Sequence, residues 1–229
     1  MAASNIQAVL FDLDGVITDT AEYHYLAWKK LADELQIPFD RHFNEALKGL
    51  SRMDSLKKIL ENARPEPSFS EEKLNELADR KNEYYKELIR QISPADLLPG
   101  IHNLLEDIKE RGIKTALASA SKNAMFVIDR LGVASFFDEI VDAARIQHGK
   151  PDPEIFLTGA RKLNADPAFC IGIEDAEAGI KAIKAAGMFA VGVGTSENMK
   201  QADFLVEGTQ DLDFEKIESA FLLKIKGEA

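Results

Sequence analysis

The chain has 229 residues, with 28 Lys and Arg against 39 Asp and Glu, a net charge of −11 and an apolar share of 45%. That apolar content, mixed with 29% charged residues, excludes a disordered chain and suffices for one large domain or two unequal ones. The acidic balance, with no basic block, excludes nucleic acid and an anionic membrane surface as expected partners, so any anionic ligand would be held by a few local cations.

Residues 1–11 carry no Lys or Arg, so they lack the basic start of a secretory signal. Within them Ile6-Gln7-Ala8-Val9-Leu10-Phe11 is an apolar run that stops at Asp12-Leu13-Asp14-Gly15, which predicts a buried strand ending in a turn. Residues 18–92 hold no strand candidate. Tyr23, Ala27, Leu31 and Leu35, then Leu74, Ala78, Lys81, Tyr85 and Leu88, recur every three or four positions and predict helices. Asp19, with Glu22 three residues on, predicts a capping box for the first of these. Arg64-Pro65-Glu66-Pro67-Ser68 reads as a surface loop.

The chain returns through Ser93-Pro94 and Pro99-Gly100, after which apolar runs at 113–119, 139–142, 169–174, 188–193 and 203–206 alternate with helical segments at 122–131, 153–163 and 176–187. This alternation predicts an α/β fold with a doubly wound, Rossmann-like parallel sheet. The core domain is read as residues 1–17 and 94–229, with an inserted α-helical cap domain at 18–93. The linkers at 16–18 and 93–99 would form a hinge. Cys170, the single cysteine, lies in an apolar strand, reads as inert core and suits a reducing cytoplasm. The longest uncharged stretch, 185–196, is twelve residues, too short for a membrane span.

In an open parallel sheet, ligands sit beyond the carboxyl ends of the strands, so the polar residues there belong together. Strand one ends in Asp12 and Asp14, and the next in Ser119-Ala120-Ser121-Lys122-Asn123. A loop carries Gly149-Lys150-Pro151, and the following strand ends in Glu174-Asp175. Carboxylates at about 4 Å repel by roughly 4 kcal/mol per pair at an effective dielectric near 20, so the group calls for a cation. Hard oxygen ligands favour Mg²⁺, which takes one or two carboxylates and bridges to phosphate. Taken singly, the Asp pair also reads as a turn former and Glu174-Asp175 as a helix cap. Lys150 is not a nucleotide-loop lysine, because Ala144 stands where the first glycine is required and Pro151 where a hydroxyl should be. Gly192-Val193-Gly194 lacks the third glycine of a dinucleotide fingerprint and reads as a turn, and the four histidines show no ligand spacing.

Asp12-Leu13-Asp14-Gly15-Val16, the Ser119 strand end, Gly149-Lys150-Pro151-Asp152-Pro153 and Glu174-Asp175 stand in order at strand ends. Together they resemble the four motifs of the haloacid dehalogenase superfamily. Residues 14–24, Leu47-Lys48-Gly49-Leu50-Ser51-Arg52, Arg80-Lys81-Asn82 and residues 117–123 are similar to the β-phosphoglucomutase family within it. The resemblance covers almost the whole chain.

That resemblance implies Asp12 as the nucleophile and Asp14 as the general acid and base. It implies Mg²⁺ on the Asp12 carboxylate, the Asp14 backbone carbonyl, Glu174 and Asp175. Ser119, the Ala120 backbone and Lys150 would neutralise the transferring phosphoryl oxygens. Substrate contacts are implied for His24, Trp28, Gly49, Leu50, Arg52, Lys81, Ser121, Lys122 and Asn123. Lys81 interrupts an apolar stripe, and it either snorkels to water or orders the helices near His24. Trp28, the one tryptophan, either packs in the core or lines the substrate cleft.

The activity implied is interconversion of β-D-glucose 1-phosphate and D-glucose 6-phosphate, with β-glucose 1,6-bisphosphate as activator and intermediate. A mutase needs a second phosphate site, which Arg52 from the cap and Lys122 and Asn123 from the core would share. A sugar-phosphate phosphatase would use the same core acids, and a silent phosphosugar-binding module would need no nucleophile. The expected protein is a monomeric cytoplasmic enzyme whose partner is a small sugar phosphate.

Overall fold

The computed structural model describes residues 6–47, 50–63, 65, 68–195 and 199–227. Strand β1 (Ala8–Phe11) is buried along its whole length, as a run apolar on both faces must be. The chain then forms α1 (Ala21–Glu34), α2 (Arg41–Glu45), α3 (Arg52–Glu61) and α4 (Glu71–Ile89). After these come α5 (Ile101–Glu110), β2 (Lys114–Leu117), α6 (Ala124–Leu131), β3 (Glu139–Ile140) and α7 (Glu154–Lys162). The remainder is β4 (Cys170–Glu174), α8 (Glu177–Ala185), β5 (Phe189–Val193), β6 (Phe204–Val206) and α9 (Phe214–Lys226). By internal contacts the chain divides into Met1–Asp19 with Ser93–Ala229, and Thr20–Ile92.

The first unit is the expected doubly wound sheet. Its strand order is β3-β2-β1-β4-β5-β6, with every neighbouring pair parallel. β1 therefore sits between β2 and β4, and Phe11 is level with both Leu117 and Ile173. On one face Ala8 and Leu10 join Phe156 of α7 and Ile180 and Ile183 of α8 in a single apolar cluster. Ala190 of β5 points into that cluster, while its neighbour Phe189 meets Phe221 of α9 with ring centres 5.6 Å apart. Gly192 and Val193 belong to β5 itself, so the expected turn starts only at Gly194. The segments read as a hinge lie side by side: Leu98 N–H donates to Ile17 O at 3.0 Å and the Thr18 hydroxyl to Asp96 O at 2.7 Å.

The second unit is helical. Asp40, Ser51 and Ser70 cap α2, α3 and α4 by accepting the N–H of Phe43, Asp54 and Lys73. The N-cap of α1 is Thr20, one residue beyond the expected Asp19. That helix starts after Thr20 without a side-chain cap, and the Glu22 carboxylate instead takes a two-pronged contact from Arg41 at 2.5 and 2.9 Å. A bidentate, charge-assisted pair outcompetes a single bond back to the chain. Trp28, Leu31, Leu56, Ile59, Leu77 and Ala78 form its apolar core. The buried stripe of α4 ends at Ile89, with Leu88 half-buried beside it. Of the expected 64–68 loop, Pro65 is exposed, while Arg64, Glu66 and Pro67 lie outside the described residues. Among the described residues no helix is long and apolar enough to cross a membrane.

Candidate active site

Because β2, β1 and β4 end at one edge of the sheet, register alone brings Ser119, Asp12 and Glu174 to that edge. Asp12 continues β1, its N–H donating to Ile173 O at 3.0 Å, and it is buried. Lys150 arrives from the loop before α7 and is also buried. Its ammonium donates to Asp12 Oδ1 at 2.5 Å and to Glu174 Oε2 at 2.7 Å. Burial pushes the Lys150 pKa down, but the charges and hydrogen bonds of the two carboxylates outweigh it and hold the ammonium above its ordinary value. Lys150 is thus a permanent cation there.

Glu174 is pushed up to about 7, first by burial and then by the Asp12 charge, against the pull of Lys150 and the Ala176 N–H. One ammonium cannot satisfy the acids present. Oxygens of Asp12, Glu174 and Asp175 all lie within 4.8 Å of one another. At such separations each carboxylate pair repels by roughly 3–4 kcal/mol at an effective dielectric near 20.

Two glycines shape the space around these oxygens. Gly15 turns with φ +77°, and a Cβ there would stand 2.1 Å from Asp175 Oδ2. Gly179, in the first turns of α8, comes as close to the Glu174 carboxylate. The result is a cradle of hard carboxylate oxygens with unbalanced negative charge, and it fits Mg²⁺.

Other expected residues of this unit surround the same sheet edge. Asp14 is half-buried, and its backbone bridges to Thr18. Ser119 is buried and its hydroxyl accepts the Ser121 N–H at 3.1 Å, so the chain after Ala120 curls around it. The Ser121 hydroxyl in turn accepts the Asn123 N–H at 3.2 Å, at the start of α6, and Lys122 is exposed.

In the helical unit, Lys81 is 2% exposed and does not snorkel. Its Nζ lies 2.8 Å from His24 Nδ1, 4.7 Å from the centre of the Trp28 ring and 4.8 Å from that of Tyr85. An ammonium can only donate, so Nδ1 accepts and the neutral ring carries its proton on Nε2. Burial, followed by the charges of Lys81 and Arg52, holds the His24 pKa well below its ordinary value. Arg52 donates to Asn82 Oδ1 at 2.8 Å, and Asp79 stands 3.8 Å away. Trp28 packs in the core of this unit. Leu50 is half-buried, and Gly49 lies outside the described residues.

Sequence reasoning placed Gly15 and Asn82 in family-like motifs without giving either a role, and passed over Gly179 and Glu154. The turn glycine directly after Asp14 was a usable signal for Gly15; nothing in the sequence marked Gly179 or Glu154.

The profile of the haloacid dehalogenase-like hydrolases matches residues 6–187. The chain belongs to this family. Among haloacid dehalogenase-like proteins, it is 53% identical over 210 residues to a Bacillus subtilis β-phosphoglucomutase, covering 92% of this chain and 93% of that one. A solved β-phosphoglucomutase from Clostridium difficile superposes with a TM-score of 0.94 at 53% identity, over 96% of this chain and 99% of that one. A Thermotoga maritima phosphorylated carbohydrates phosphatase is 29% identical, over 80% and 82% of the two chains.

Proposed function

We propose that this enzyme is a phosphoglucomutase that interconverts β-D-glucose 1-phosphate and D-glucose 6-phosphate. The observation that carries the reading is the 53% identity, along nearly the full length of both chains, to the Bacillus subtilis enzyme named for that activity. The phosphatase relative, which offers the rival reading, matches at 29%.

In this reading the Asp12 carboxylate attacks phosphorus and carries the phosphoryl group as an aspartyl-phosphate. It first passes that group to the 6-hydroxyl of β-glucose 1-phosphate, giving β-glucose 1,6-bisphosphate. It then takes back the phosphoryl group at carbon 1, leaving glucose 6-phosphate. Asp14 removes the proton from the attacking hydroxyl and returns one to the sugar oxygen that leaves. The Lys150 ammonium, already 2.5 Å from Asp12, holds the nucleophile and balances part of the charge on the transferring group. Ser119 and the Ala120 amide would complete that balance.

Mg²⁺ on Asp12, the Asp14 carbonyl, Glu174 and Asp175 would neutralise charge between the acids and the phosphate. The bisphosphate needs a second anchor, and we assign it to Arg52 with Lys122 and Asn123, a fork and polar groups suited to phosphate. His24, Gly49, Leu50 and Ser121 complete the substrate contacts in this reading, while Lys81, buried between His24 and the Trp28 ring, orders that group from within the helical unit.

The test is a coupled assay for glucose 6-phosphate from pure α- and β-glucose 1-phosphate, with Mg²⁺ and a trace of bisphosphate. Turnover of the β anomer alone is expected. Rapid phosphate release with no glucose 6-phosphate from either anomer would establish the phosphatase instead.

A further inference from the structure

The loop that delivers Lys150 has no regular structure of its own between residues 146 and 150, yet its ammonium is aimed at two carboxylates. Something must hold that loop, because a long flexible stem loses considerable rotamer freedom when fixed. The tie comes from Glu154, the first residue of α7. Its carboxylate accepts the Gln147 N–H on both oxygens, at 3.0 and 3.1 Å, and the His148 N–H at 2.8 Å. These amides belong to the residues three and two positions before Lys150.

The same carboxylate is not engaged in an ion pair among the described contacts. Its hydrogen bonds to the loop amides hold its pKa below the ordinary carboxylate value, as charge-assisted bonds to backbone do. The far side of the loop is fixed in the same way. Asp152 N–H donates to Gly149 O at 3.0 Å, and Asp152 Oδ1 accepts the Glu154 N–H at 2.9 Å. Two residues beyond Glu154, the fully buried Phe156 places its ring centre 5.1 Å from the Lys150 ammonium. The first turn of α7 therefore grips the loop on both sides of Lys150 and floors its charge.

We propose that Glu154 is the positioning residue for Lys150: by accepting the Gln147 and His148 amides it fixes the loop that aims the ammonium at Asp12 and Glu174. The inference rests on the reading of Asp12 as nucleophile and deepens it. Glu154 does not touch the reacting atoms; it acts through Lys150. A misplacement of about 1 Å in a charge-stabilising group costs up to about 100-fold in rate, and loss of supporting residues typically costs about 10- to 100-fold.

The experiment measures the rate at which Asp12 is phosphorylated by acetyl phosphate in the full chain with Mg²⁺, for wild type, Glu154→Ala, Glu154→Gln, Lys150→Ala and the Lys150→Ala/Glu154→Ala double variant. Glu154→Ala is expected to slow phosphorylation by about 10- to 100-fold. Glu154→Gln, which keeps one acceptor oxygen for the loop amides, should recover part of that loss. In the Lys150→Ala background, removing Glu154 should change the rate by less than about 2-fold, because the group it positions is gone.

A merely structural role would move the melting temperature and would lower the rate equally in both backgrounds. Equal, multiplying losses overturn the proposal, as does an unaltered rate in Glu154→Ala when Lys150→Ala is slow. If Lys150→Ala itself phosphorylates at the wild-type rate, the reading of the site fails and the proposal with it, a pattern distinct from the other two.

Discussion

A Cβ placed on Gly179 would stand 1.9 Å from Glu174 Oε2, the oxygen that accepts the Lys150 ammonium. Glu174 is 1% exposed and held on its other oxygen by the Asp175 and Ala176 amides, so its carboxylate has little room to retreat. Gly179→Ala should therefore displace the carboxylate and weaken Mg²⁺ binding by about 10- to 100-fold. The same change favours the helix by about 1 kcal/mol, so metal affinity and helix preference move in opposite directions. Calorimetric Mg²⁺ titration beside a thermal melt checks this, and unchanged affinity would show that Glu174 is free to move.

Asp12→Asn should abolish phosphoenzyme formation and transfer alike. The amide is a poor nucleophile, and it also replaces one of the two acids that hold Lys150. Rapid-quench detection of the aspartyl-phosphate is the measurement; substantial residual turnover would move the nucleophile elsewhere.

Asp14→Ala should cost roughly 10²–10⁴-fold in mutase turnover through lost proton transfer. Mg²⁺ affinity should largely survive, because the assigned ligand there is the backbone carbonyl. A parallel collapse of affinity and turnover would reassign Asp14 as a side-chain ligand.

Arg52→Ala separates transfer from hydrolysis. Loss of a charge-assisted phosphate contact is worth roughly 1.5–3 kcal/mol, so bisphosphate-dependent turnover should fall by about 10- to 100-fold. Phosphorylation of Asp12 by acetyl phosphate needs no second anchor and should persist. The substitution also leaves Asn82 without its guanidinium donor, so a melt must accompany the kinetics. Equal losses in both reactions would place Arg52 in folding or at the first phosphate.

His24 gives the helical unit a pH dependence of known sign. Its folded pKa is held well below 6.5 by burial and by the Lys81 and Arg52 charges, whereas the unfolded ring titrates near 6.5. Below about pH 6.5 the unfolded state therefore binds a proton that the folded state refuses. Stability is full above that value and declines as pH falls, by up to about 1.4 kcal/mol per pH unit. Denaturation followed by the fluorescence of Trp28, the single tryptophan, should show this slope, and His24→Gln should flatten it. An identical slope in the variant would assign the decline to other groups.

The sequence by itself determined the strands of the core, several of its helices and the chemical alphabet of the site. The runs at 8–11 and 170–173 are apolar on both faces, which only a strand buried inside a parallel sheet requires, and each runs directly into acids. The three-to-four-residue period of residues 74–88 likewise marked a helix, because that spacing puts apolar groups on one face whatever they pack against. Tertiary structure decided the partners. Asp19 and Glu22 have the spacing of a capping box, yet Glu22 closes on Arg41, nineteen residues away. Lys150 lies 138 residues from Asp12 and 24 from Glu174, and only the pairing of β1 with β4 brings those two acids to the place where its ammonium can reach both. Gly179 and Glu154 carry no local mark for the same reason. Periodicity reports which face of a segment is buried, while the choice among competing charged and hydrogen-bonding partners is made by groups distant in the chain, at separations set by strand register.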